Sequence, residues 1–267
     1  MIHRPGPAVL TAAVVVGGFL LMPLLAVVPI SFTPMRFLSM PDGNWSWRHY
    51  RALLDNPDWG HAILLSLRVG VLSGAFATLL AVLFTLGIWM FRPRFAAALI
   101  GFVLLPMVAP PVVSAITLYF LLTSLSGFGG IVGYDTWGGV VLAHTVMVTP
   151  FAVVLLLVAL NEVDPRIDLA ARGLGASVWT RAVSVILPNI RFAVASAALL
   201  CFVLSWEEIG VTLFITSVNA VTLPRLMWMG LRDNIDPAVA SLSVVLIAVT
   251  VAALLVRAVA QRSRTHA

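Results

Sequence analysis

Lysine is absent from this chain: all sixteen basic residues are arginine. That absence removes a P-loop lysine, a lysine Schiff base and a Ser–Lys dyad from the available chemistry. Cysteine is nearly absent too. Cys201 stands alone in an apolar run, so it cannot form an internal disulfide and reads as a small packing hydrophobe. Charge is equally scarce. Only 10% of the 267 residues are charged, against about 25% in a soluble domain. Hydrophobic residues make up 61%, and the mean hydropathy is +1.05. A chain of this kind cannot cover its surface in water, so its solvent is lipid. A net charge of +5 would suggest nucleic acid for a soluble protein. Here the placement of the charges matters more, and no nucleic-acid partner is expected.

What the chain has is long apolar runs. Six of them reach the roughly 20 residues a membrane helix needs. They lie at about 8–32, 62–91, 95–122, 138–160, 185–216 and 238–258, and predict a single all-α membrane domain over residues 1–267. The first outlasts the 7–15 residues of a signal peptide's apolar region and reads as an uncleaved span. With the N-terminus inside, the inner regions hold Arg4, Arg92, Arg94, Arg166, Arg172, Arg181, Arg191, Arg257, Arg262 and Arg264. The outer loops hold Arg36, Arg48, Arg51, Arg225 and Arg232, interleaved with Asp42, Asp55, Asp58, Asp233 and Asp236. This asymmetry predicts both termini in the cytoplasm, and with them residues 161–184. Trp45, Trp47 and Trp59 flank the outer ends of the first two spans, where an aromatic belt belongs.

Between two of the longest apolar runs stands DLAARGLGASVWTRAVSVILP, residues 168–188. Asp164-Pro165 is a helix start, because aspartate caps free amides and proline loses nothing at the first helical position. The helix should stop near Gly173 or Gly175, and Ser177 can cap a second helix from Val178 towards Pro188. The result is a glycine-turned elbow. Ala170, Ala171 and Gly175 leave its backbone open to close approach. On physical grounds alone this serves either a docking protein or the tight folding of the loop on itself.

The spacing resembles the signature of the permease subunits of binding-protein-dependent ABC importers: Glu-Ala-Ala, three residues, Gly, nine residues, then Ile-x-Leu-Pro. Ala170, Ala171, Gly175, Leu187 and Pro188 match it, whereas Leu169 replaces the Glu and Val185 the Ile. Asp168 stands one residue before the missing carboxylate. The resemblance extends over nearly the whole chain. PLLAVVPISF (23–32), SWRHYRALLDNP (46–57) and SLRVGVLSGAFATLLAVLFTLGI (66–88) are similar to the first two spans of these permeases. FVLSWEEIGVTLFI (202–215) and TLPRLMWMGLRDNIDPAVAS (222–241) are similar to the spermidine/putrescine group, particularly its C-type subunit. The resemblance implies a type I ABC importer permease fold of six transmembrane helices in a bacterial inner membrane. Residues Asp168, Leu169, Ala170, Ala171, Gly175, Ala176, Leu187 and Pro188 would form a coupling helix seated on an ATPase. It also implies a homologous second permease, two ATPase subunits and a periplasmic solute-binding protein as partners. No cofactor is expected on this chain; ATP and Mg belong to the ATPase, and the chain is not itself an enzyme.

Glu207 and Glu208 lie about twenty residues past Pro188, roughly 30 Å along a helix and so near the outer end of the fifth span. A carboxylate at membrane depth costs on the order of 2.5–3.5 kcal/mol and tends to face a cavity or a partner. Trp206 beside them offers a π face to a cation, which suits a polyamine. The opposing reading is an interfacial acid pair held by water and by Arg225 or Arg232. Tyr119 reads as a stacking residue on the path or an interfacial anchor. His144 either relays protons or is satisfied by a helix backbone, and Arg68 snorkels outward. Pro106, Pro110 and Pro111 should break the third span, which is tolerated where the chain is buried or lines a cavity. Gly70 and Gly74 suit close helix packing. Two other functions compete: a self-sufficient transporter using His144, Glu207 and Glu208, and a membrane enzyme. No paired broken repeat supports the first, and no metal or nucleophile cluster the second.

Overall fold

The computed structural model describes residues 6–127, 129–233 and 236–265; of Asp233 and residues 258–265 it describes the backbone alone. Arg4 and Ile235, with the side chains of Asp233, Arg262 and Arg264, therefore lie outside the described residues. Among the described residues all regular structure is helical. Four helices are long and apolar enough to cross a membrane, and two sharply bent pairs bring the number to six if each pair is one span. The chain folds into two compact units, one from residues up to Gly60 together with those from Met227, the other from His61 to Leu226.

In the first unit α1 (Pro7–Ile30) has no buried residue. It packs against α13 (Ala238–Thr265), which also meets α2 (Arg48–Asp55). Ser31 joins these elements: its carbonyl accepts from Ser241 Oγ at 3.0 Å, and its hydroxyl meets Tyr50 Oη at 2.7 Å. The Phe32 ring gathers Trp45, Trp47 and Tyr50, with centroids at 5.6, 4.9 and 5.1 Å. Trp45 and Trp47 stay exposed, as a belt requires. Trp59 does not, because it is buried in the protein.

The second unit is built on α3 (Pro57–Phe91), α4 (Ala96–Val108), α5 (Pro111–Ser126), α6 (Trp137–Asn161) and the segments after α6. The helix α3 starts five residues earlier than its apolar run. Asn56 Oδ1 accepts from the Asp58 amide at 2.9 Å, and Pro57 suits the first helical position. The third expected span is two helices, α4 and α5, bent by 100° at Ala109-Pro110. Pro110 and Pro111 lack the amides that would carry the ladder through, whereas Pro106 is accommodated inside α4.

The fifth expected span, 185–216, needs correction. It consists of the segment Val178–Asn189 and α10 (Arg191–Glu207), bent by 77°. The first segment is α8 (Val178–Thr180), a π-helical stretch (Arg181–Ile186) and α9 (Leu187–Asn189). Helix ends at Glu207, and α11 (Thr212–Ile215) is a separate short turn. Residues 209–215 are again largely apolar, but the backbone turns extended at Glu208, with ψ 113°, and that ends the helix. α12 (Leu223–Asp233) then precedes α13.

The helix α6 packs on α10 and α4 around a core containing Leu156, Leu160, Ile186 and Cys201, all fully buried. Cys201 is the small hydrophobe expected, with Sγ 3.5 Å from the Val148 carbonyl. Gly70 and Gly74 face Phe202 of α10. A Cβ at Gly74 would sit 3.2 Å from the Phe202 amide nitrogen, so these two glycines serve helix packing.

Candidate coupling elbow and transport path

The helix α7 (Pro165–Gly173) is the first arm of the elbow. Asp164 caps it by accepting from the Arg166 amide at 2.9 Å. Its end is a Schellman turn. The Ala176 amide donates to the Ala171 carbonyl at 3.0 Å and the Gly175 amide to the Arg172 carbonyl at 2.9 Å. Gly175 takes φ +80°, a left-handed conformation that disfavours side chains. Ser177 caps the second arm, accepting from the Thr180 amide at 3.1 Å. That arm continues as the π-helical stretch rather than a regular helix.

The acid of this segment points inward. Asp168 is 5% exposed, and its Oδ1 accepts from Arg181 Nε at 2.6 Å. Its Oδ2 accepts from Arg181 Nη2 and Arg172 Nε, both at 3.0 Å. It does not stand at the carboxylate position of the permease signature. That position belongs to Leu169, which is 60% exposed. Ala170, Gly175 and Pro188 are exposed, while Ala171, Ala176 and Leu187 are half-buried. Arg172 reaches on to the Met90 carbonyl at 3.3 Å, in the last turn of α3. A cavity of about 340 Å³ lies beside it, lined by Trp89, Arg92, Pro165, Asp168 and Arg172 among others.

At the far end of α10, Glu207 is exposed and its side chain makes no hydrogen bond or ion pair among the described residues. Glu208 caps α11. Its Oε1 accepts from the Val211 amide at 2.8 Å and its carbonyl from Thr212 Oγ1 at 3.0 Å. Arg225, expected as a partner of this pair, instead donates to Thr216 Oγ1. Trp206 is half-buried, its ring 6.1 Å from Phe202. Tyr119 packs edge-on against Tyr134 at 5.4 Å. Arg68 is exposed and lies 4.1 Å above the Trp137 ring, a cation–π contact beyond simple snorkelling.

His144 differs from the reading of a histidine satisfied by backbone. It is 1% exposed, with Nδ1 2.8 Å from Ser205 Oγ and Nε2 2.8 Å from Thr212 Oγ1. Both ring nitrogens are occupied by side chains, so the ring joins α6, α10 and α11.

Asp135 carries no signal in the sequence, yet it organises the loop before α6. It has φ +55°, and its carboxylate accepts from the amides of Ser217, Val218, Asn219 and Ala220. Partial burial pushes this carboxyl up, but the four amides outweigh it and hold it at about 2, below its ordinary 3.8. A depressed acid stabilises the fold above its unfolded value and loses that contribution as pH falls through its folded one. The parent should therefore shed stability between about pH 4 and 2, and Asp135→Asn should flatten that limb in acid-unfolding curves.

Residues 77–265 match the binding-protein-dependent transport system inner membrane component family. The chain belongs to that family. It is 28% identical over 256 residues to the spermidine/putrescine transport system permease protein PotC of Haemophilus influenzae, covering 94% of this chain and 95% of that protein. It is 33% identical over 227 residues to the molybdenum transport system permease protein ModB of Mycobacterium bovis, covering 81% and 84%. Its fold is that of a bacterial ABC transporter involved in the import of the acidic polysaccharide alginate, with a TM-score of 0.63 over 97% of this chain and 98% of that one, at 15% identity. The family member described here is thus a multi-pass inner-membrane permease subunit of an ABC importer with the type I fold. It translocates and is not an enzyme. Membership of this family implies an importer that in general combines a partner permease, an ATPase and a binding protein, which sets aside the self-sufficient transporter.

Proposed function

We propose that this permease passes a polyamine such as spermidine or putrescine from a periplasmic binding protein to the cytoplasm, with its elbow seated on one of two ATPase subunits. In this reading a homologous second permease completes the path, and both termini and the elbow lie in the cytoplasm. The observation that carries it is the Ala170-Ala171-Gly175-Leu187-Pro188 spacing folded as a capped two-armed turn. The likeness to a polyamine permease over 94% of the chain supports the substrate. So does Glu207, an exposed carboxylate next to Trp206 in the chain whose side chain has no partner among the described residues.

Gly175→Trp tests the elbow. A bulky side chain at a left-handed position strains the turn and fills the surface a partner must approach. The variant should lose ATPase association by at least tenfold in co-purification, and unchanged association would refute the coupling role. Titrating labelled putrescine into the same complex tests the substrate. Glu207→Gln should weaken binding about tenfold, while Glu208→Gln, whose amide oxygen can still cap α11, should weaken it far less. The 33% identity to a molybdenum permease favours a second reading, an oxyanion. Molybdate displacing nothing while putrescine binds would exclude it.

A further inference from the structure

We infer that Asp168 is a transmission pin that makes the elbow, the end of α3 and the start of the bent 178–207 segment move as one body. This rests on the elbow meeting an ATPase, as proposed above. Three observations converge on it.

The carboxylate is nearly enclosed, with 7% of its side chain exposed, and takes three N–H groups from two arginines. Arg181, 8% exposed at its side chain, opens the π-helical stretch that ends at the fully buried core residue Ile186. One branch of the pin thus runs from α7 into the core beneath α9 and α10. Arg172 forms the other branch, from Asp168 to the Met90 carbonyl. The last carbonyls of a helix have no partner within it and carry the negative end of its dipole, so a guanidinium there is held by both. Asp168 is therefore tied to two elements outside its own helix.

The covalent links of α7 are weaker guides. Towards the second arm the chain passes through residues 174–177, including Gly175 at φ +80°. A turn that relies on glycine can yield when one arm is pushed. A push on the exposed face at Leu169 and Ala170 would spend itself at that turn unless the two arms were cross-linked. The Asp168–Arg181 pair is such a cross-link, thirteen residues apart in sequence. A π-helical stretch has a looser ladder than an α-helix and often marks a functional site, and here the pair anchors its first residue. The signature's carboxylate position is occupied by Leu169, so the acid of this elbow is committed to internal linkage. Asp168 is thus a positioning residue.

The test uses the whole importer, purified as a complex, and reads hydrogen exchange at residues 208–220 with ATP plus vanadate and without nucleotide. These residues lie at the far end of α10, so a nucleotide-dependent change there reports a stroke carried through the protein. In Asp168→Asn the ATPase should stay bound and hydrolyse within about twofold of the parent rate, while the exchange response falls at least fivefold. Asp168→Glu, which keeps the charge, should restore at least half of it. An undiminished response in Asp168→Asn overturns the pin, and so does a response that falls only in step with hydrolysis. Should Asp168→Asn fail to assemble, Arg172→Met decides: it leaves the Asp168–Arg181 pair in place and removes the whole second branch, the Arg172 bonds to Asp168 and to the Met90 carbonyl. About a threefold loss of response supports the pin, and no loss overturns it. A parent complex whose far end ignores nucleotide would instead sink the reading that the elbow meets the ATPase.

Discussion

Arg181→Ala should be the most destabilising single change on the elbow side, lowering unfolding stability by about 3–5 kcal/mol. The figure comes from stranding a buried charge rather than from losing an attraction. Asp168 lies at 5% exposure, and Arg181 supplies two of its three hydrogen bonds, at 2.6 and 3.0 Å. Once Arg181 is gone, Arg172 still donates at 3.0 Å, but with 47% of its side chain exposed it offers a weaker, screened partner. The deficit therefore belongs near the lower end of that range. Removing both charges should hurt less than removing one, because a well-packed apolar pair carries no desolvation cost. The double variant Asp168→Leu/Arg181→Met is expected to recover at least half of the loss in detergent unfolding curves. A double-mutant cycle with no coupling between the two sites would contradict the ion pair as described.

Gly139→Ala should cost as much or more, about 3 kcal/mol at least, for a steric reason at the other end of α6. A Cβ on Gly139 would lie 2.0 Å from the Gly133 carbonyl oxygen and 3.1 Å from Thr136 Oγ1. The obstacle is backbone, so it cannot swing away. It is also pinned, since Thr136 Oγ1 accepts from the amides of Gly133 and Gly139, each at 3.0 Å, and donates to the Gly133 carbonyl at 2.9 Å. Relieving the clash would dismantle the cap of α6. Gly101→Ala is the control. Gly101 sits inside α4 with open space around it, and alanine there should be neutral or gain up to about 1 kcal/mol from helix propensity. Equal effects of the two substitutions in thermal unfolding would show that close approach is not what Gly139 serves.

Much of the elbow was legible before any coordinates. Asp164-Pro165, Gly175 and Ser177 are local signals, and each acts within a few residues of itself: a cap, a left-handed turn, a second cap. The Asp168–Arg172 contact was also within reach, at the i, i+4 spacing that places two side chains on one helix face. Arg181 was not, because a contact across thirteen residues depends on how the second arm folds back. The break at Pro110-Pro111 followed from missing amides, but the stop at Glu207 did not, since hydropathy gives no notice of where the backbone turns extended. His144 lies 61 and 68 residues from Ser205 and Thr212, and no spacing rule joins it to them.

The sequence alone determined that this protein lives in lipid, that its bulk is helical, and that one compact turn carries the importer signature. These follow from composition and short-range rules, which require no knowledge of neighbours. Only the tertiary structure decided where the charges go: Asp168 inward to Arg181, Glu208 to an amide, Asp135 to four amides, His144 between two hydroxyls. In a low-dielectric interior each polar group must find a partner at hydrogen-bonding distance, and packing alone chooses which one it meets.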